Sequence, residues 1–212
     1  MKHSNVKHSS VKLFIIAAMA VMLAPAAPRA EEITAVDRAK LVGHLTTMRD
    51  QVIAESSKLS DAQWNFKAGP DRWSVGEVVE HLALAETFLW DIHQKTMLGP
   101  AATAEQRTAT KGKEEFILKT IPDRTKKAQA PEPLQPKTSL GPRDKVIAAF
   151  LDRRGKTLAY VTKTSDDLRS RVIDAPFGPV DAYQWLLFMS AHNERHLAQL
   201  REVKANAQFP KM

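Results

Sequence analysis

Apolar residues recur every three to five positions in four separate stretches of this chain, and that helical period constrains the fold more than any other feature. The first stripe is Ile33, Val36, Leu41, Leu45, Met48, Val52 and Leu59. After the breaker Gly69-Pro70-Asp71, a second runs through Val75, Val78, Val79, Leu82, Ala85, Leu89 and Ile92 toward Gly99-Pro100, where the Pro ring excludes further helix. Its start is marked by Ser74-Val75-Gly76-Glu77, a capping box in which Ser and Glu satisfy each other's backbone N–H groups. A third helix is expected from about Pro142 to Lys163, with Val146, Ala149, Phe150, Gly155, Leu158 and Val161 on or near its inner face. The fourth follows the turn-forming cluster Pro176-Phe177-Gly178-Pro179, is capped by Asp181, and carries Trp185, Met189, Leu200 and Val203 to about Lys204. No run alternates apolar and polar residues as a half-buried strand would. The expected fold class is all-α, a four-helix bundle with its domain over residues 33–206.

Between the second and third helices, residues 101–142 carry five of the twelve prolines and room for only a short helix over Glu114 to Thr120, so a long crossover is expected there. Glu105 to Lys145 holds ten basic and six acidic side chains, read as a solvated surface rather than an anionic-ligand patch.

At the other extreme of polarity, Leu13 to Leu23 is an uninterrupted apolar run behind a basic stretch and ahead of Ala24-Pro25-Ala26. That pattern predicts a signal peptide over residues 1–26, with Ala30 as an alternative cleavage point, and so a periplasmic or secreted protein. Eleven helical residues rise only about 16 Å, about half of a hydrocarbon core, so no stable membrane span is expected after cleavage. Of the formal charge of +7, Lys2, Lys7 and Lys12 leave with the leader, and about +4 remains. With no aromatic-interleaved basic helix, nucleic-acid binding is not expected. The absence of cysteine removes disulfides, thiolate metal sites and a catalytic thiol, so any metal must be held by nitrogen and oxygen.

Five histidines survive in the processed chain: His44, His81, His93, His192 and His196. His192 and His196 are four apart on the fourth helix, which places both imidazoles on one face about one pitch apart. Met189 and Leu200 put that face on the buried stripe. Two buried imidazoles are costly unless their nitrogens find partners, at about 1–3 kcal/mol for each unsatisfied group. A divalent metal answers both, and core hydrogen bonding is the alternative. A metal needs a third ligand, for which His81 is placed by its core-facing neighbours Val78 and Ala85. His93, twelve residues on, is expected to point elsewhere. Glu194 falls on another face of the helix and cannot be the base of an H-E-x-x-H protease.

Beyond the spacing of the histidines, Leu59-Ser60-Asp61-Ala62-Gln63-Trp64-Asn65-Phe66, Arg72 through Leu82 (RWSVGEVVEHL), Pro176-Phe177-Gly178 and His192 through Leu200 (HNERHLAQL) together resemble the DinB-like (DinB/YfiT) superfamily of metal-dependent four-helix bundles, over about residues 35–204. The resemblance implies that His81, His192 and His196 ligate one divalent metal, zinc or nickel, and that the long connection joins helices two and three. It also implies hydrolysis, or thiol S-transfer, of a small electrophilic substrate, the small molecule being the expected partner, with homodimer formation left open. Export works against transfer, because the cytosolic thiol pool is not met outside the cell. Three ligands leave room for an outside molecule, which marks catalytic sites. A fourth protein ligand, such as His44 or a carboxylate, would instead make the chain a non-catalytic metal- or ligand-binding module. No catalytic base is assigned: Glu77 is expected to serve the cap, Arg195 a salt bridge or solvent, and Gln199 a ligand, a substrate or a polar helix edge. Trp64, Trp73, Trp90 and Trp185 are expected in the core.

Overall fold

The structure, a computed structural model, describes residues 33–211 together with Met1. The expected signal peptide therefore lies, apart from Met1, outside the described residues. Four long helices form the bundle, with short elements between them: α1 (Ala35–Ser56), α2 (Asp61–Asn65), α3 (Val75–Met97), α4 (Ala104–Ala109), α5 (Lys113–Thr120), α6 (Arg143–Lys163), β1 (Val172–Ala175), β2 (Gly178–Asp181) and α7 (Ala182–Lys204). A 3-10 turn at Glu132–Leu134 interrupts the crossover. No helix among the described residues is long and apolar enough to cross a membrane.

Both α1 and α3 pack against α6 and α7, so the order around the bundle is α1, α6, α3, α7. Successive long helices are thus not always neighbours, and the chain needs long connections to cross the bundle. Leu41, Leu45, Ala85, Leu158, Val161, Leu186 and Met189 fill one end of the core. Met48, Val52, Val78, Val79, Leu82, Phe150, Leu197 and Leu200 fill the other. Arg169 joins α1, α5 and the start of α7 through Asp37 (3.3 Å), Glu114 (2.7 Å) and Asp181 (2.9 Å), with its guanidinium 4.1 Å from the Tyr183 ring centroid.

Three expectations need correction. The first helix stops at Ser56 rather than Leu59, because Ser60 caps a separate turn with Gln63; Val36, assigned to its buried stripe, is exposed. The crossover holds an additional helix, α4, which starts at the capping box Thr103–Gln106. Finally, Pro176-Phe177 is the turn of an antiparallel hairpin in which Ile173 faces Val180. Four-residue strands are too short for alternation to register as a pattern, and this pair is buried by the bundle beneath it. At the turn's exit Gly178 has φ 101°, a conformation that disfavours any Cβ.

Candidate metal centre

His81 stands in the second turn of α3, whose register is set by the Ser74–Glu77 capping box: the Glu77 N–H donates to Ser74 Oγ (3.1 Å) and the Ser74 N–H to Glu77 Oε2 (2.8 Å). Glu77 is thereby committed to the helix end, where it also pairs with Lys67 (2.7 Å). The N-terminal turn of α3 is pressed against α2 at Gly76, where a Cβ would lie 2.3 Å from Trp64 Nε1. From the adjacent α7, His192 and His196 face His81. One ring nitrogen from each of the three lies within 4.8 Å of the others, forming a group able to hold a metal ion. Ring centroids are 4.4 Å apart for His81–His196, 4.5 Å for His192–His196 and 5.3 Å for His81–His192. His81 and His196 are buried and His192 is half-buried.

Hydrogen-bond roles decide which nitrogens face the centre. His81 Nδ1 lies 2.7 Å from the Leu134 carbonyl, which only accepts, so Nδ1 carries the proton. His196 Nδ1 lies 2.9 Å from Gln199 Oε1 and donates in the same way. The other nitrogens, His81 Nε2 and His196 Nε2, then confront each other as lone pairs only 3.1 Å apart. Two buried acceptors at that distance repel unless a cation lies between them. Their separation is close to the ligand–ligand edge of about 3.3 Å that tetrahedral coordination at about 2.0–2.1 Å requires. His192 Nδ1 is likewise buried without a partner. The donor set therefore fits a divalent transition-metal ion, which imidazole nitrogens suit.

Burial also keeps the rings neutral, the form that binds metal. Desolvation lowers the pKa of His81, although its bond to Leu134 opposes the shift. For His192, desolvation comes first and the charges of His81, Arg195 and Arg154 add to it, bringing the pKa to about 3. His196 is lowered well below its ordinary value by desolvation, with His192 and His81 adding.

The crossover's charged side chains are mostly exposed, as expected, while its 3-10 turn lies against His81. Leu134, in its 3-10 turn, is buried against α3. Glu80, beside His81, holds the following residues by accepting from the Thr138 N–H (3.0 Å), Ser139 Oγ (3.0 Å) and the Leu140 N–H (3.3 Å). These bonds fasten Thr138 in the left-handed region at φ 57°. Arg195, expected to make a salt bridge or meet solvent, donates to the carbonyls of Ile121, Asp123 and Lys126. Trp73, half-buried and packed against the core, lies 5.0 Å from the His81 ring and stacks at 6.3 Å on His196. The role of Leu134 carries no local sequence signal.

His44, His93 and Glu194 are not in the group. Among the described residues, it contains only the three histidines. His93 is buried between Trp90 and Tyr160, and Glu194 is exposed. Two surface hollows, about 400 Å³ beside Lys40 and Glu114 and about 270 Å³ beside Trp64 and Arg143, contain none of the three histidines.

Fold and site together define a helical bundle with an inward-facing histidine trio on two neighbouring helices. The DinB superfamily model matches residues 44–200, and the chain belongs to that superfamily. It is also similar to the uncharacterized protein YuaE of Bacillus subtilis strain 168, at 28% identity over 151 residues, covering 71% of this chain and 88% of that protein. Among solved structures it resembles that of YfiT from Bacillus subtilis, described as "a probable metal-dependent hydrolase with an unusual four-helix bundle topology". The TM-score is 0.56 at 14% identity, with 85% of this chain and 93% of that chain covered, a likeness of fold.

Proposed function

We propose that this chain is an exported, metal-dependent hydrolase acting on a small electrophilic molecule, with His81, His192 and His196 holding the ion. The observation that carries the reading is the pair of buried Nε2 lone pairs 3.1 Å apart, with His192 beside them. A divalent ion there supplies Lewis acidity, polarising a substrate and easing deprotonation of a water or thiol. The chain's own part is to hold and orient. Leu134 and Gln199 set the proton positions of two ligands, while Trp73 and the crossover keep one side of the centre dry. The partly open His192 leaves substrate an approach beside Phe188, whose ring is 6.0 Å from it. The lack of a fourth histidine or carboxylate in the group, among the described residues, favours turnover over mere metal storage. Export rests on residues 1–26, whose charge and apolar pattern is that of a cleaved leader.

The test is elemental and mass analysis of the protein recovered from the soluble fraction outside the inner membrane of its host. About one equivalent of divalent metal and a mass lacking the leader are expected. The double variant His192→Ala, His196→Ala should carry none, and equal metal in the variant would refute the ligand assignment. Loaded protein is then screened on ester, amide and thiol-dependent substrates. Turnover that depends on added thiol would move the assignment to S-transfer.

A further inference from the structure

We propose that Gln199, oriented by Arg124 from the crossover, is a positioning residue that fixes the His196 tautomer and so presents His196 Nε2 to the ion. The proposal rests on the metal reading above and adds a control point that the histidine pattern does not contain. Gln199 is three residues beyond His196 on α7, and its Oε1 lies 2.9 Å from His196 Nδ1. A glutamine amide can turn either its oxygen or its NH2 toward a neighbour, and the two choices impose opposite tautomers on the histidine. Arg124 removes the choice. Its Nη1 lies 3.2 Å from the same Oε1, and a guanidinium can only donate, so the oxygen is held at this position.

Arg124 is itself held in a two-pronged contact with Glu202, Nε to Oε1 at 2.7 Å and Nη2 to Oε2 at 3.0 Å, which leaves Nη1 for Gln199. The roles are therefore fixed in sequence: Glu202 orients Arg124, Arg124 orients Gln199, and Gln199 accepts from His196 Nδ1. A neutral ring protonated at Nδ1 has its lone pair at Nε2, the atom that faces His81. If the amide turned over, its NH2 would donate to Nδ1. The ring proton would then move to Nε2 and block coordination. Leu134 performs the same service for His81 with a backbone carbonyl, which has no alternative orientation. Of these two histidines, His196 is the one whose acceptor needs a second residue to set it.

The experiment uses the full chain and three variants, Gln199→Leu, Gln199→Glu and Arg124→Ala, with circular dichroism as the folding control. Zinc affinity is measured by chelator competition, and the His196 tautomer by long-range nitrogen–proton NMR of the metal-free protein. Gln199→Leu should weaken zinc binding about 10–100-fold, the usual loss when a ligand's supporting hydrogen bond is removed. Gln199→Glu keeps an obligate acceptor and should bind within about threefold of the parent, a rescue that packing alone does not predict. Arg124→Ala should weaken binding although its side chain does not touch His196. The parent should show an N–H at His196 Nδ1, and Gln199→Leu should lose that preference. An Nε2–H tautomer in the parent, or unchanged affinity and tautomer in Gln199→Leu, overturns the proposal. If the parent takes up no zinc, the metal reading falls separately. The tautomer comparison still decides the role of Gln199: a change in the leucine variant sustains it, and no change ends it.

Discussion

His93 should make the fold measurably sensitive to mild acid, and replacing it by Phe should remove that part of the sensitivity. The imidazole is fully buried, stacked 5.2 Å from Trp90 and edge-on 5.3 Å from Tyr160, and neither ring nitrogen has a hydrogen-bond partner. Desolvation lowers its pKa to about 4, against a smaller opposing effect of Asp166. In the unfolded chain the ring titrates near its ordinary value of about 6.5. Between those values the unfolded chain binds the proton more tightly, so stability present above pH 6.5 is lost as pH falls toward 4. From pH 7 to pH 5 the loss is about 2 kcal/mol, nearly one and a half decades of proton binding at about 1.4 kcal/mol each. The assay is urea unfolding of parent and His93→Phe at pH 7, 6 and 5 with chelator present, followed by the helical circular dichroism signal. Overpacking by the larger ring would shift the variant equally at every pH, whereas the difference between the two curves should change by about 2 kcal/mol. Parallel curves to within about 0.5 kcal/mol would refute the reasoning.

The buried pair Glu86–Arg154 (2.6 Å) joins α3 to α6 with both side chains out of solvent, and desolvation raises the Glu86 pKa despite its partner. Arg154→Leu should cost about 3–5 kcal/mol, because it strands a buried carboxylate, and Glu86→Leu added to it should recover most of the loss. A double variant as unstable as the single one in urea unfolding would contradict this. Gly76→Ala should destabilise by about 1–3 kcal/mol, reversing the usual gain of Gly→Ala in a helix, since the methyl would meet Trp64 Nε1 at 2.3 Å. A higher melting temperature for this variant would show that Trp64 moves aside freely.

What looked like a charged, proline-rich connection supplies the carbonyl that orients His81 and the guanidinium that orients Gln199. Most of its charged side chains are exposed, but Arg124 turns to Glu202 and Gln199, and Glu80 and Arg195 on the helices grip its backbone. Changes in this segment are therefore expected to reach the three-histidine group.

Local chemistry was enough to define the four long helices, because each has its own apolar stripe and three of the four their own side-chain cap, Thr34, Ser74 or Asp181. The His192–His196 pair was equally legible, since spacing four on a helix places two rings together whatever surrounds them. Bringing His81 to that pair was a different matter. It lies 115 residues from His196, and only the adjacency of α3 and α7 makes them neighbours. The carbonyl of Leu134 and the guanidinium of Arg124 belong to the same class, 53 and 75 residues from the groups they orient. Periodicity reports which face of a segment is buried, not what is buried against it. The hydrogen-bond roles at the centre arise from contacts between distant segments, and those the folded chain alone decides.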